Sequence, residues 1–128
     1  MAATILQKNL QSEVEVYQSL GKDIQKNHSA RNTFMTQQGE NEMVMKELEL
    51  LEEDANVFKM IGPVLVKQDL VEAKANVGKR LDYIKGELSR METGLKNLEK
   101  KRNDKEKEIV KMQDRLKDLT HGGGGEGK

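Results

Sequence analysis

Two short apolar runs interrupt a highly charged chain, within the stretch Asn56-Val57-Phe58-Lys59-Met60-Ile61-Gly62-Pro63-Val64-Leu65-Val66-Lys67-Gln68-Asp69-Leu70. The runs at 57–61 and 64–67 are rich in β-branched residues and are too short to be helices of their own. They are separated by Gly62 and by the only proline of the chain, Pro63, which would cost a helix interior about 3 kcal/mol. The stretch therefore predicts a β-hairpin, in preference to a helix that runs through it.

The predicted hairpin has apolar side chains on both faces. A lone two-stranded hairpin is marginally stable in water, and unpaired strand edges promote association. In a monomer such a hairpin would be an aggregation hazard, whereas in an oligomer its strands pair with those of neighbouring chains and close a sheet or barrel. We therefore expect the oligomer interface to comprise Val57, Phe58, Met60, Ile61, Gly62, Pro63, Val64, Leu65 and Val66.

The sequence after the hairpin has the periodicity of a coiled coil. Steps of three and four residues from Leu81 give twelve seam positions, of which ten are apolar: Leu81, Ile84, Leu88, Met91, Leu95, Leu98, Arg102, Lys105, Ile109, Met112, Leu116 and Leu119. A 3.5-residue spacing keeps one helix face against a partner helix. Asp69 with Glu72 three residues later resembles a capping box, which predicts a helix over about 70–120.

The sequence before the hairpin has a weaker seam. Eight of thirteen positions are apolar in the series Leu6, Leu10, Glu13, Tyr17, Leu20, Ile24, Asn27, Arg31, Phe34, Gln38, Asn41, Met45 and Leu48. The polar members either fix the register or mark a solvated section. This pattern predicts a helix over about 4–53, of a length that matches the second helix.

Two helices of similar length joined by a hairpin at about 56–68 favour an antiparallel coiled coil. This arrangement would bring both chain ends to one tip, where two apolar clusters meet: Ile5, Leu6 and Leu10, and Ile109, Met112, Leu116 and Leu119. The second cluster is either an ordinary part of the seam or an exposed binding patch. Overall we expect one domain over 1–120, mainly α, followed by a disordered glycine-rich tail over 121–128.

Composition excludes several classes of function. The chain is 34% charged and 3% aromatic, with no cysteine, two histidines and a formal net charge of zero. No disulfide framework, zinc site, phosphate loop or catalytic set is apparent, so we expect no enzyme activity, no cofactor and no metal. The basic run at 100–102 is followed by acidic residues, which favours a solvated helix face over nucleic-acid binding. No apolar run is long enough for a membrane span, and we expect a cytoplasmic protein.

The central stretch quoted above, followed by Lys79-Arg80-Leu81-Asp82-Tyr83-Ile84, resembles a β-type prefoldin subunit. The upstream run Gln38-Gly39-Glu40-Asn41-Glu42 is also similar, and the resemblance covers roughly residues 5–120. It implies a heterohexamer of two α-type and four β-type prefoldin subunits, whose hairpins build a double β-barrel.

The resemblance also implies a function. The family captures unfolded nascent proteins such as actin and tubulin without ATP, at coiled-coil tips, and transfers them to the group II cytosolic chaperonin. On that interpretation the two apolar clusters at the tip are the client contacts. The alternative is a structural coiled-coil spacer or tether that dimerises through its central segment, and the two differ in whether the chain needs an α-type partner.

Overall fold

The structure is a computed structural model that describes residues 1–125, with side chains described for residues 1–121. Helix α1 spans Ala2–Leu50, strands β1 and β2 span Val57–Ile61 and Val64–Gln68, and helix α2 spans Leu70–Gly125. The predicted fold, two long helices on either side of an antiparallel hairpin, is confirmed.

The chain divides into two compact units. The terminal unit combines Met1–His28 with the part of α2 that starts at Thr93, and the hairpin unit is Ser29–Glu92. In each unit α1 and α2 run antiparallel. In the terminal unit, for example, Glu13 contacts Lys105.

Burial along the helices follows the predicted seam. All thirteen seam positions of α1 are buried or half-buried, and so are eleven of the twelve in α2, the exception being Leu119. Among the residues with described side chains no polar or charged residue is buried as a whole, although the Asn27 Oδ1 atom is itself withdrawn from solvent. The core is thus a strip between two helices, as a 3.5-residue repeat requires.

The hairpin unit has the most continuous apolar core. Its buried cluster consists of Leu48, Leu70, Ala73, Val77 and Leu81, with Met45 and Val57 packed against it. The cluster joins the last turns of α1 to the first turns of α2, so it fixes the position from which the hairpin projects. The Asp69 carbonyl accepts a hydrogen bond from the Ala73 N–H at 2.8 Å, which places Asp69 at the predicted N-cap position of α2.

Two helix ends differ from the predicted bounds. Helix α1 ends at Leu50 rather than near residue 53, because Glu52, Glu53 and Asp54 would bring negative charge to the negative end of the helix dipole. A turn replaces the last helical residues, and its Ala55 N–H donates to the Glu52 carbonyl at 3.0 Å.

Helix α2 continues through Gly125, whereas the sequence predicts its end at Thr120 and a disordered tail from His121. Glycine can adopt helical backbone angles, and each further residue pairs one more carbonyl of the preceding turn. Residues 126–128 of the predicted tail lie outside the described residues.

Candidate functional site

The hairpin is closed by a two-residue turn, with Ile61 paired to Val64 and Val57 paired to Gln68 at its two ends. Gly62 has a φ of 59°, and proline fixes the φ of residue 63 near −65°. A positive φ followed by a negative one excludes a type I′ turn and fits a type II′ turn, which matches the twist of the flanking strands. The Gly62-Pro63 pair thus sets the register of the hairpin.

The hairpin exposes apolar side chains on both faces, as predicted. Phe58, Met60 and Leu65 lie on one face and are 55%, 68% and 62% exposed. Ile61, Val64 and Val66 are exposed on the opposite face.

Three predicted interface residues differ in character from these six. Val57 is half-buried against the core cluster, so it anchors the hairpin to the helices. Gly62 and Pro63 form the exposed turn. The sheet contains β1 and β2 alone among the described residues, so each strand also keeps one outer edge with unpaired backbone groups.

The predicted client residues divide into covered and exposed groups in the terminal unit. Leu6 is buried, and the half-buried members are Leu10, Ile109, Met112 and Leu116. Ile5 and Leu119 are exposed, and with Leu6 they line an open hollow of about 320 Å³ that also includes Ala2 and Arg115. The two helix ends therefore do meet, and they present a small apolar surface there.

A second apolar groove lies further along the terminal unit. Its volume is about 370 Å³, and its lining includes Val14, Tyr17, Ile109 and Val110. Val14 and Val110 are not predicted from the sequence, because both lie beside the seam rather than on it. Val110 is 48% exposed, so this groove adds to the apolar surface that Ile109 contributes.

Two polar members of the seam form an ion pair between the helices. Lys105 Nζ lies 2.7 Å from Glu13 Oε2 and 3.4 Å from Glu108 Oε2. The hydrogen bond from Lys105 lowers the pKa of the Glu13 carboxyl, and the same bond raises the pKa of the Lys105 amine. Because the partners are 92 residues apart in sequence, the pair is specific to one antiparallel register of the terminal unit.

Two features are absent from the described residues: a cluster of metal-ligating side chains and a membrane-spanning helix. Within them no three His, Asp or Glu side chains converge as a metal site would require. The same residues contain no helix that combines the length and apolar character needed to span a bilayer.

Two helices packed antiparallel within each unit, joined by one exposed apolar hairpin, define the class of protein. A family model described as "Prefoldin subunit" matches residues 11–118. A crystal structure of the prefoldin beta subunit from Thermococcus strain KS-1 has the same fold, with a TM-score of 0.73 at 21% identity, over 84% of this chain and 92% of that one. The chain belongs to the prefoldin family, and it is a chaperone-complex subunit rather than an enzyme.

Named relatives place the chain within the family more narrowly. It is 52% identical over 117 residues to prefoldin subunit 6 of Arabidopsis thaliana, which covers 91% of both chains. It is 48% identical over 111 residues to prefoldin subunit 6 of Homo sapiens, over 87% of this chain and 86% of the human one. The resemblance found in the central stretch thus extends over most of the sequence.

Proposed function

We propose that this chain is a β-type subunit of a heterohexameric prefoldin, which contains α-type and other β-type prefoldin subunits. The observation that carries this proposal is the hairpin, with six apolar side chains exposed on two faces and two unpaired edges. Strands of neighbouring subunits would pair with these edges and cover both faces in a shared β-barrel. A coiled-coil spacer would account for the helices but has no use for such a hairpin.

We further propose that the complex binds unfolded proteins at the helix ends of the terminal unit. Ile5 and Leu119 provide exposed apolar contacts there, and Leu6, Leu10, Ile109, Met112 and Leu116 line or support them. Such a surface binds apolar segments without sequence specificity, and methionine adapts to varied shapes. Several weak sites on one complex would hold a client firmly while each contact remains exchangeable.

In this proposal no nucleotide is consumed, since retention comes from multivalency. The clients are unfolded actin and tubulin in the cytoplasm, and the receiving partner is the group II cytosolic chaperonin. Transfer then requires that the chaperonin compete for the same apolar segments, which weak individual contacts permit.

The test is a double variant, Ile5→Ser with Leu119→Ser, assembled with the other prefoldin subunits and mixed with chemically unfolded actin. We expect a hexamer of normal mass that suppresses actin aggregation less well than the wild type. Met43→Ser is the matched control, because Met43 is 65% exposed on α1 but lies in the hairpin unit. If the double variant suppresses actin aggregation as well as the wild type does, the helix ends do not bind clients.

A further inference from the structure

A groove lies along one flank of the hairpin unit and includes hairpin residues at one end. It consists of two adjoining cavities of about 420 Å³ and 360 Å³, which share Arg80 in their lining. The first is lined by Gln37, Asn41, Lys79, Tyr83 and Ile84 in addition to Arg80. The second includes Val44 and Val77 of the helices and Val57, Phe58, Lys59 and Met60 of β1. We call the two cavities together the basic groove.

The charged side chains that line the basic groove are Lys59, Lys79 and Arg80, and all three are basic and exposed. Beside them Val44 is 42% exposed and Tyr83 is 59% exposed, so apolar and cationic surfaces alternate. The groove therefore suits a ligand that has an apolar face and carboxylates.

The opposite flank of the hairpin unit has a different charge pattern. A cavity of about 340 Å³ there is lined by Arg31, Lys85 and Glu92, among other residues. Because an acidic residue lies beside two basic ones, this flank is less favourable to an acidic partner than the basic groove. The basic groove is thus a local property of one side of the helix pair.

Geometry restricts the kind of ligand. Beyond the end that contains β1, helix backbones form the walls and their polar groups are already hydrogen-bonded, so an extended strand there would find no backbone partner in the groove. A helical segment satisfies its backbone internally. From Gln37 to Leu48 the α1 wall is about 16 Å long at 1.5 Å per residue, which accommodates about three helical turns.

We propose that the basic groove receives an acidic, amphipathic helical segment of the neighbouring prefoldin subunit, with a carboxylate paired to Arg80 and apolar residues against Val44 and Tyr83. The inference rests on the proposed function, because the groove starts at β1, which we expect to pair with a neighbour. The hairpin would then provide most of the area buried between this chain and its neighbour. The basic groove would determine which prefoldin subunit lies on the groove's flank of the hairpin unit.

The test is a competition for assembly. Mass-tagged wild-type chain and the variant Arg80→Glu are mixed in equal amounts with a limiting quantity of the other prefoldin subunits, and incorporation is counted by native mass spectrometry. We expect about fivefold less incorporation of the variant than of the wild type at low salt, because the carboxylate introduced at position 80 would repel the carboxylates of the neighbouring subunit's segment. The deficit should shrink in 1 M salt, where the screening length is about 3 Å.

Lys85→Glu is the matched control, since it reverses an exposed basic residue of α2 on the opposite flank. Circular dichroism of each variant alone checks that folding is unchanged. Equal incorporation of Arg80→Glu and Lys85→Glu would overturn the proposal. The proposal would also be overturned if the isolated chain forms a homodimer and Arg80→Glu prevents that dimer from forming. The segment in the basic groove would then belong to a second copy of this chain.

A hairpin variant separates the two proposals. Replacing Leu65 with aspartate should abolish incorporation if the hairpin drives assembly. If that variant assembles normally, the proposed function fails. If it is excluded while Arg80→Glu competes equally with the wild type, the basic groove alone is wrong.

Discussion

Leu65→Ala should weaken assembly strongly while leaving the isolated chain almost unchanged. Leu65 is 62% exposed and lies directly opposite Met60 on one face of the hairpin. In the isolated chain, truncating such an exposed side chain should change the free energy of unfolding by less than about 0.5 kcal/mol.

The cost in the complex follows from the area that assembly would cover. Leu→Ala removes three carbon atoms, each worth about 0.8 kcal/mol when it is transferred from water to an apolar interior. The exposed 62% of Leu65 accounts for about 1.5 kcal/mol, and the cavity left in a packed interface brings the loss to about 2 kcal/mol. That free energy corresponds to about a 30-fold change in an association constant.

The assay compares two measurements on the same protein. Thermal unfolding of the isolated chain, followed by circular dichroism, gives the effect on folding. Competition with mass-tagged wild-type chain for limiting partner subunits gives the effect on assembly. Met43→Ala serves as the control, because Met43 is similarly exposed but lies on α1. Two results would contradict the prediction: Leu65→Ala competing as well as Met43→Ala, or Leu65→Ala destabilising the isolated chain by about 1 kcal/mol or more.

Three further predictions concern the turn, a glycine of α2 and the interhelical ion pair. Gly62→Ala should destabilise the hairpin by about 1–2 kcal/mol, because a residue with a Cβ is strained at a φ of 59°. No neighbouring atom blocks the added Cβ, so the backbone strain is the whole effect. Faster amide hydrogen exchange in β1 and β2 would confirm it. Gly78→Ala should raise the free energy of unfolding by up to about 1 kcal/mol, because alanine favours a helix more than glycine does. The added Cβ would lie 3.8 Å from Met45 Cε, which is an ordinary contact. An unchanged or lower melting temperature would contradict this prediction. The pKa of Glu13 is lowered in the folded chain, so its ion pair with Lys105 adds to the free energy of unfolding above about pH 4.3, the ordinary pKa of a glutamate. This contribution is lost as the pH falls through the lowered pKa. Lys105→Met should return the Glu13 pKa towards its ordinary range, and an NMR titration of the carboxyl that shows no change would be evidence against the pairing.

The sequence predicts the helices and the hairpin well because their causes are local. A 3.5-residue repeat determines which side chains face the second helix, and the observed burial at Ile24, Ile84 and their seam neighbours follows that repeat. Gly62-Pro63 likewise determines the turn through backbone angles alone. Neither inference needs information about residues distant in the chain.

The pairing of Glu13 with Lys105 needs such information. Both stand at charged positions of their seam series, but periodicity does not state which turn of α1 lies beside which turn of α2. The register emerges only when the whole apolar strip is packed, and the ion pair at 2.7 Å then places the two interruptions together. A polar residue in one seam is thus partly explained by a polar residue in the other.

The candidate binding surfaces could be located only in part for a similar reason. Ile5 and Leu6 are neighbours in sequence and equally apolar, yet Leu6 is buried and Ile5 is 58% exposed, because they point in different directions from the helix. The basic groove was not predicted at all. Its lining draws on both helices and the hairpin, and in the sequence Lys79 and Arg80 contribute only to the family resemblance.

The most direct test of the central claim is the native mass of this chain, alone and after mixing with an α-type and the other β-type prefoldin subunits. We expect incorporation into a defined hexamer that does not form without the α-type subunit. A stable homodimer under both conditions would contradict the assignment of the hairpin to a shared barrel and would favour a coiled-coil tether.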